Sequence, residues 1–224
     1  MSDILARKVV AVLFDLDGTF ADTAPDMARA LNVLRYQRGL PSLPLSAIRP
    51  YVSRGARGML DIGFGLEPLD ESFSELRDAF YSEYQANICI ESKLFDGIDK
   101  VISNLESRKV VWGIVTNKAA RFALPIARKL GFEGRAACIV CGDTTAHTKP
   151  HPEPLLYAAK LIGVAPRQIV YVGDDERDIQ AAHAAGMLSV AATYGYIAAA
   201  IDPNTWGADA WISAPFELQC LTGG

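Results

Sequence analysis

Apolar runs of strand length recur along the chain, at residues 9–14, 110–115, 137–141, 169–172 and 188–192. They are nearly continuous rather than alternating, which predicts strands buried on both faces. Between the later runs the apolar positions take helical spacing. The pattern over 119–130 stops at Gly131, that over 152–162 at Gly163, and that over 175–185 at Gly186. A glycine just past the last periodic residue is a helix C-terminal signal. Strands alternating with helices predict an α/β fold, a doubly wound, Rossmann-like parallel sheet with helices on both faces. In such sheets ligands bind off the carboxyl ends of the strands. Asp15, Thr116 and Asp174 each directly follow an apolar run or its closing glycine.

The first connection breaks this rhythm. About ninety residues separate the first two runs, where an ordinary connection is far shorter. Helical patterns fill it at 26–38, 48–62 and 72–86. The expected organisation is a helical cap over 21–94, inserted into a core made of 1–20 and 95–224. The alternative is an insertion without a chemical role. No internal repeat or low-complexity segment is visible.

Four pieces carry candidate chemistry. The first is Asp15-Leu16-Asp17-Gly18-Thr19 at the end of the first run. Carboxylates two residues apart on a strand end can project the same way. Burying both is costly without a compensating cation. Gly18 permits a turn and brings a backbone N–H close to an anion. The second piece is Val115-Thr116-Asn117-Lys118, whose hydroxyl suits a phosphoryl oxygen and equally a helix N-cap. The third is Lys149-Pro150-His151-Pro152-Glu153-Pro154, a rigid turn that can fix a cation, or merely expose a solvated lysine. The fourth is Gly173-Asp174-Asp175-Glu176-Arg177-Asp178, which sets Asp174 and Asp178 one helical turn apart. Acidic helix capping would explain part of it.

Composition narrows the classes. The 224 residues suffice for one good core plus a small accessory domain. The formal net charge of −4 argues against a nucleic-acid binder, which usually shows a basic face. Residues 1–8 lack the apolar stretch of a leader, and no apolar run reaches membrane-spanning length. The expectation is a cytoplasmic protein with no membrane or nucleic-acid partner, a monomer or homodimer. Its four cysteines (Cys89, Cys138, Cys141, Cys220) are then expected to be reduced.

In their order and spacing the four pieces together resemble the haloacid dehalogenase-like superfamily of phosphatases. Asp15-Leu16-Asp17-Gly18-Thr19 matches its first motif, Thr116 its second, Lys149 its third, and Gly173-Asp174-Asp175 with Asp178 its fourth. A helical cap between the first two motifs is similar to the subgroup of phosphoglycolate phosphatases and β-phosphoglucomutases. The resemblance implies that Asp15 is a nucleophile forming an aspartyl-phosphate and Asp17 a general acid and base. It implies Mg²⁺ as cofactor, with Asp15, Asp17 (through its backbone carbonyl), Asp174 and Asp178 as the metal group. Asp178 would alternatively orient Lys149. Thr116 and Lys149 would stabilise charge on the transferring group. Gly18, Thr19 and Asn117 are the expected phosphate-side contacts. Two departures stand out: Phe20 where Leu or Val is common, and Asp175 where Ser or Thr is common.

The cap segment Ser53-Arg54-Gly55-Ala56-Arg57-Gly58 falls about where relatives place a substrate-selecting loop. Arg54 or Arg57 would grip a substrate carboxylate there, unless both are simply solvated. The resemblance implies a small phosphomonoester that also bears a carboxylate as the expected substrate. By that resemblance 2-phosphoglycolate ranks first and N-acetylmuramic acid 6-phosphate close behind. A sugar phosphomutase is the nearest enzymatic rival, and a phospho-receiver module the non-enzymatic one. The cysteine pair 138/141 with His147 and His151 superficially resembles a zinc site. Its spacing is wrong for a finger, and strand residues three apart face opposite sides. His183 is expected at the surface, and Trp206 and Trp211 over the edge of the core.

Overall fold

The computed structural model describes residues 8–221. Residues 1–7, on which the expected absence of a leader rests, lie outside the described residues, as do 222–224. In chain order the strands are β1 (Ala11–Phe14), β2 (Ala21–Asp22), β3 (Lys93–Leu94), β4 (Val111–Val115), β5 (Ile139–Val140), β6 (Ile169–Gly173), β7 (Leu188–Ala192) and β8 (Ala210–Ile212). Six of them form one sheet in the order β5-β4-β1-β6-β7-β8, every neighbour parallel. The chain thus has the α/β, Rossmann-like core that the apolar runs predict.

Period-two alternation decides which face each strand residue enters. Val12 and Phe14 join one apolar cluster, with Trp112, Ile114, Val170 and Val172. Ala11 and Leu13 join another, with Val115, Ile169 and Tyr171. Helices cover both faces, which is why these strands read as unbroken apolar runs. On the first side lie Ile98–Ser107 and Ala120–Lys129; on the second lie Glu153–Ile162 and Glu176–Ala185. The first of these four helices stands outside the expected pattern. Its buried residues, Ile98, Val101, Ile102 and Leu105, nevertheless keep helical spacing. The tail adds a sixth strand where only edge cover was expected. Trp211 is the outward residue of that strand, and Trp206 packs against Ile179, Ala191 and Ala208.

The long first connection is helical: Ala24–Gln37, Leu45–Ile48, Gly55–Phe64 and Phe73–Ala86. The continuous helix expected over 48–62 is broken. A 3₁₀ turn, Arg49–Arg54, opens on Pro50 and closes on Gly55, whose φ of +59° ends the turn before a new helix begins. The two ends of the insertion meet in an antiparallel pair, Ala21 opposite Leu94 and Asp22 opposite Lys93. Its apolar side is continuous with the first sheet cluster. There the Tyr81 and Tyr84 rings lie 5.2 and 5.4 Å from that of Phe122, on the helix Ala120–Lys129. Among the described residues no helix is long and apolar enough to cross a membrane.

Candidate active site

Asp15 leaves β1 at the carboxyl end of the sheet, its N–H donating to the Val172 carbonyl at 2.9 Å. Lys149 is buried beside it. Its Nζ lies 2.9 Å from Asp15 Oδ1 and 2.7 Å from Asp178 Oδ1. It also donates to Tyr171 Oη at 2.7 Å and the Val115 carbonyl at 3.1 Å. The Lys149 main chain is clamped by Asn117, which accepts from its N–H and donates to its carbonyl, both at 2.9 Å. Burial alone would lower the Lys149 ammonium, but Asp15 and Asp178 hold it above its ordinary value.

The carboxylates outnumber this cation. Ligand atoms of Asp15, Asp174 and Asp178 lie within 4.8 Å of one another. Burial pushes the Asp15 carboxyl up to about 7, with Asp178 and Asp17 adding to the rise and Lys149 opposing it. Burial also raises Asp174 well above the usual range, helped by Asp15 and Asp178. Despite its nearness to Lys149, the buried Asp15 Oδ1 accepts no well-aligned hydrogen bond. A cluster of hard oxygens with surplus negative charge and an under-satisfied buried oxygen fits a hard divalent cation. Asp174 is aimed by Thr19 Oγ1 and the Tyr196 N–H, each donating at 2.8 Å.

Asp17 takes a different environment. Its Oδ1 accepts from Lys118 Nζ at 2.8 Å and from the Thr23 hydroxyl. Lys118 is buried, with its ammonium 5.0 Å from the centre of the Tyr84 ring. Above these groups opens a cavity of about 420 Å³. Asp15, Asp17, Thr116 and Lys149 line its floor; Arg54, Arg57, Phe73, Arg77 and Tyr81 line the insertion side.

Several expected residues are placed for other work. The Gly18 N–H donates to the Ala21 carbonyl at 3.1 Å and so is turned inward, not toward an anion. Its φ of +87° and close approach to Asp174 explain the glycine, since a Cβ would fall 2.1 Å from Asp174 Oδ2. Thr19 is fully buried and gives its hydroxyl to Asp174, not to a substrate. Asn117 borders the cavity, but its amide is occupied by Lys149. Arg54 and Arg57 border it too, each paired with a carboxylate: Asp61 at 2.9 Å and Glu67 at 2.8 Å. Both Asp178 oxygens are engaged, one by Lys149 and one by the Asp175 N–H at 3.1 Å.

Lys118, Arg77 and Arg177 also border the cavity without having been singled out by the sequence. Lys118 follows directly on Thr116-Asn117, which is the only local signal it carries. Cys138 and Cys141 enter opposite apolar clusters, and burial pushes both thiols up to about 11. They do not converge on the histidines. His147, His151 and Glu153 do approach one another on the exposed turn, where His147 Nδ1 lies 2.7 Å from Glu153 Oε2. His183, partly exposed, lies 2.9 Å from Ser189 Oγ.

A floor of carboxylates and a buried lysine at the strand ends, beneath a helical insertion, defines the class. Residues 12–192 match the model of the haloacid dehalogenase-like hydrolases, and the chain belongs to that family as a phosphatase. It is 49% identical over 209 residues to a phosphoglycolate phosphatase of Xanthomonas campestris pv. campestris (strain 8004), covering 93% of this chain and 94% of the relative. It is 42% identical over 212 residues to an N-acetylmuramic acid 6-phosphate phosphatase of Pseudomonas putida, covering 95% of each. A crystal structure of a predicted phosphoglycolate phosphatase from Haemophilus somnus 129pt superposes with a TM-score of 0.84 at 26% identity, over 96% of this chain and 98% of that one.

Proposed function

We propose that this phosphatase hydrolyses a small phosphomonoester that also carries a carboxylate, through an aspartyl-phosphate on Asp15. The observation that carries the reading is the pairing of Asp15 and Asp17 on one cavity floor, with Lys149 2.9 Å from Asp15. A carboxylate oxygen of Asp15 attacks phosphorus as the P–O bond to the leaving group breaks. Asp17 gives its proton to the departing alkoxide. Lys118 and Thr23 both hold Oδ1 of Asp17, which leaves Oδ2 to carry that proton. In the second half Asp17 takes a proton from water, the water oxygen attacks phosphorus, and the P–O bond to Asp15 breaks to release phosphate. Lys149 and Thr116 stabilise charge on the transferring group. Asp15, Asp174 and the Asp17 main-chain carbonyl would hold Mg²⁺, with Asp178 beside them. Bound there, the cation offsets repulsion between carboxylate and phosphate dianion.

2-Phosphoglycolate is the first candidate substrate, supported by the relatives that carry that name. The cavity supports keeping the second. About 420 Å³ lies in the range of about 300–1,000 Å³ typical for drug-sized ligands. Phe73 and Tyr81 offer apolar surface for a sugar such as N-acetylmuramic acid 6-phosphate. Arg54, Arg57 and Arg77 supply candidate contacts for the carboxylate of either.

The test is phosphate release from 2-phosphoglycolate, N-acetylmuramic acid 6-phosphate, hexose phosphates and a nucleotide, with Mg²⁺, with EDTA, and in Asp15→Asn. We expect one acid-bearing ester to dominate and both controls to abolish its turnover. Phosphate transfer within a sugar that needs a bisphosphate activator would favour the mutase. A stable aspartyl-phosphate without turnover would favour the receiver.

A further inference from the structure

Asp175, one of the two departures noted from the resembled pattern, has a definite place in the structure. It caps the helix Glu176–Ala185: its Oδ1 accepts from the Arg177 N–H at 3.0 Å, and its own N–H donates to Asp178 Oδ2. Arg177 then folds back and grips the same carboxylate, Nε on Oδ1 at 2.7 Å and Nη2 on Oδ2 at 2.9 Å. This two-point grip fixes the plane of the guanidinium. The fixed Nη2 also donates to the Ser53 carbonyl at 2.8 Å, 124 positions away in the sequence.

Ser53 is the penultimate residue of the 3₁₀ turn, directly before Arg54 and the left-handed Gly55. The guanidinium therefore holds the main chain at the point from which the Arg54–Arg57 stretch reaches the cavity rim. The same network runs downward. Asp178, bonded to the Asp175 N–H, carries Lys149 on its other oxygen at 2.7 Å. That link to Asp178 and Lys149 is made by the Asp175 main chain, so replacing the side chain of Asp175 or Arg177 leaves it in place and removes only the hold on Ser53.

We propose that Arg177, oriented by Asp175, is a positioning residue for substrate selection. It sets the Ser53–Arg57 loop over the phosphoryl site, so that esters bearing a second anionic group depend on it and esters without one do not. The inference rests on the proposed reading that this loop contacts the substrate's carboxylate. A serine or threonine in place of Asp175 could not supply the two-point grip, so Asp175 and Arg177 act as a pair.

The test compares wild type with Arg177→Met, Arg177→Lys and Asp175→Asn on two kinds of ester: the best acid-bearing substrate, and p-nitrophenyl phosphate, which has no second anion. For the acid-bearing ester we expect KM to rise about tenfold, the effect of losing one charge-assisted hydrogen bond, with kcat much less changed. For p-nitrophenyl phosphate both constants stay within about twofold of wild type. Amide hydrogen exchange over residues 52–58 accelerates in all three variants, and combining Arg177→Met with Asp175→Asn adds little to either one. Equal losses on both esters, or exchange over 52–58 unchanged from wild type, would overturn the proposal. If Arg177→Met does not fold, Arg177→Lys and Asp175→Asn carry the same comparison. A wild type that cleaves p-nitrophenyl phosphate but no acid-bearing ester would overturn the substrate reading and selection by Arg177 with it. The exchange data would then report only whether the contact holds the loop.

Discussion

Lys118 Nζ and Asp17 Oδ1 lie 2.8 Å apart, both side chains largely out of water. Burial alone would lower the Lys118 ammonium, but Asp17 and then Tyr84 hold it above its ordinary value. A pair this enclosed is expected to be costly to break from one side, because the remaining charge keeps its desolvation cost. Lys118→Met should destabilise the fold by about 3 kcal/mol in urea unfolding. The raised value belongs to the folded state, so the stabilisation is complete below the unfolded lysine value of about 10.4 and is lost only as pH climbs past the folded one. The wild type–variant difference should therefore stay flat between about pH 6 and 9. A difference that collapses within that window would contradict the assignment. If Asp17 is the proton carrier, kcat should also fall by about 10²-fold, the scale of general acid–base catalysis.

Thr19 gives a separable prediction. Its hydroxyl aims Asp174 from outside the carboxylate cluster. Thr19→Val keeps the shape and removes the bond. Such outer partners typically contribute 10–100-fold in metal affinity, so Mg²⁺ should bind at least about tenfold more weakly. In the wild type, saturating Mg²⁺ should raise the melting temperature by mass action, and Thr19→Val should need more Mg²⁺ for the same rise. Identical Mg²⁺ dependence of melting in the two proteins would show that Thr19 does not serve the metal group.

Asp26 makes the pH prediction for stability away from the cavity floor. It is fully buried in the insertion's first helix and accepts from Ser92 N–H at 2.8 Å, from Ser92 Oγ at 2.5 Å and from the Ile90 and Glu91 N–H groups. Burial alone would raise its carboxyl, but the bonds from Ser92 and Glu91 outweigh it and hold the value below the usual range. The unfolded state thus binds the proton more readily. Its stabilisation is present above the unfolded value of about 3.9 and is lost as pH falls through the folded one. Asp26→Asn should cost about 2–3 kcal/mol near pH 7, and the gap from wild type should narrow below about pH 4. Melting curves across pH 3–8 decide it: a gap that widens toward acid has the wrong sign.

Much of this architecture was legible because it is written in local pattern. Strands buried on both faces leave unbroken apolar runs in the sequence, and the runs end at Asp15, Thr116 and Gly173-Asp174. The three-residue strand Ala210–Ile212 has too few positions to show a period. The residue types of Gly18, Thr19 and Asn117 suit contacts to phosphate. In the fold their donors are turned to Ala21, Asp174 and Lys149. Sequence order cannot decide which way a short loop faces. Nor can it reveal that Lys118 meets Asp17 across 101 positions, or that Arg177 meets Ser53 across 124. The first joins loops that follow two neighbouring strands of one sheet, and the second exists only once the insertion lies on the sheet domain.

That the insertion leaves and returns through one short antiparallel pair makes it look like an interchangeable module. The rings of Tyr81 and Tyr84 packed on Phe122, with the Arg121 guanidinium 4.8 Å from the Tyr81 ring centre, say otherwise. Connected like a separable part, it is packed like an inherited one. A graft of a foreign lid onto this scaffold has to bring a surface that fits Phe122, or exchange Phe122 along with the lid. A change of lid is thereby a change on both sides of this aromatic contact.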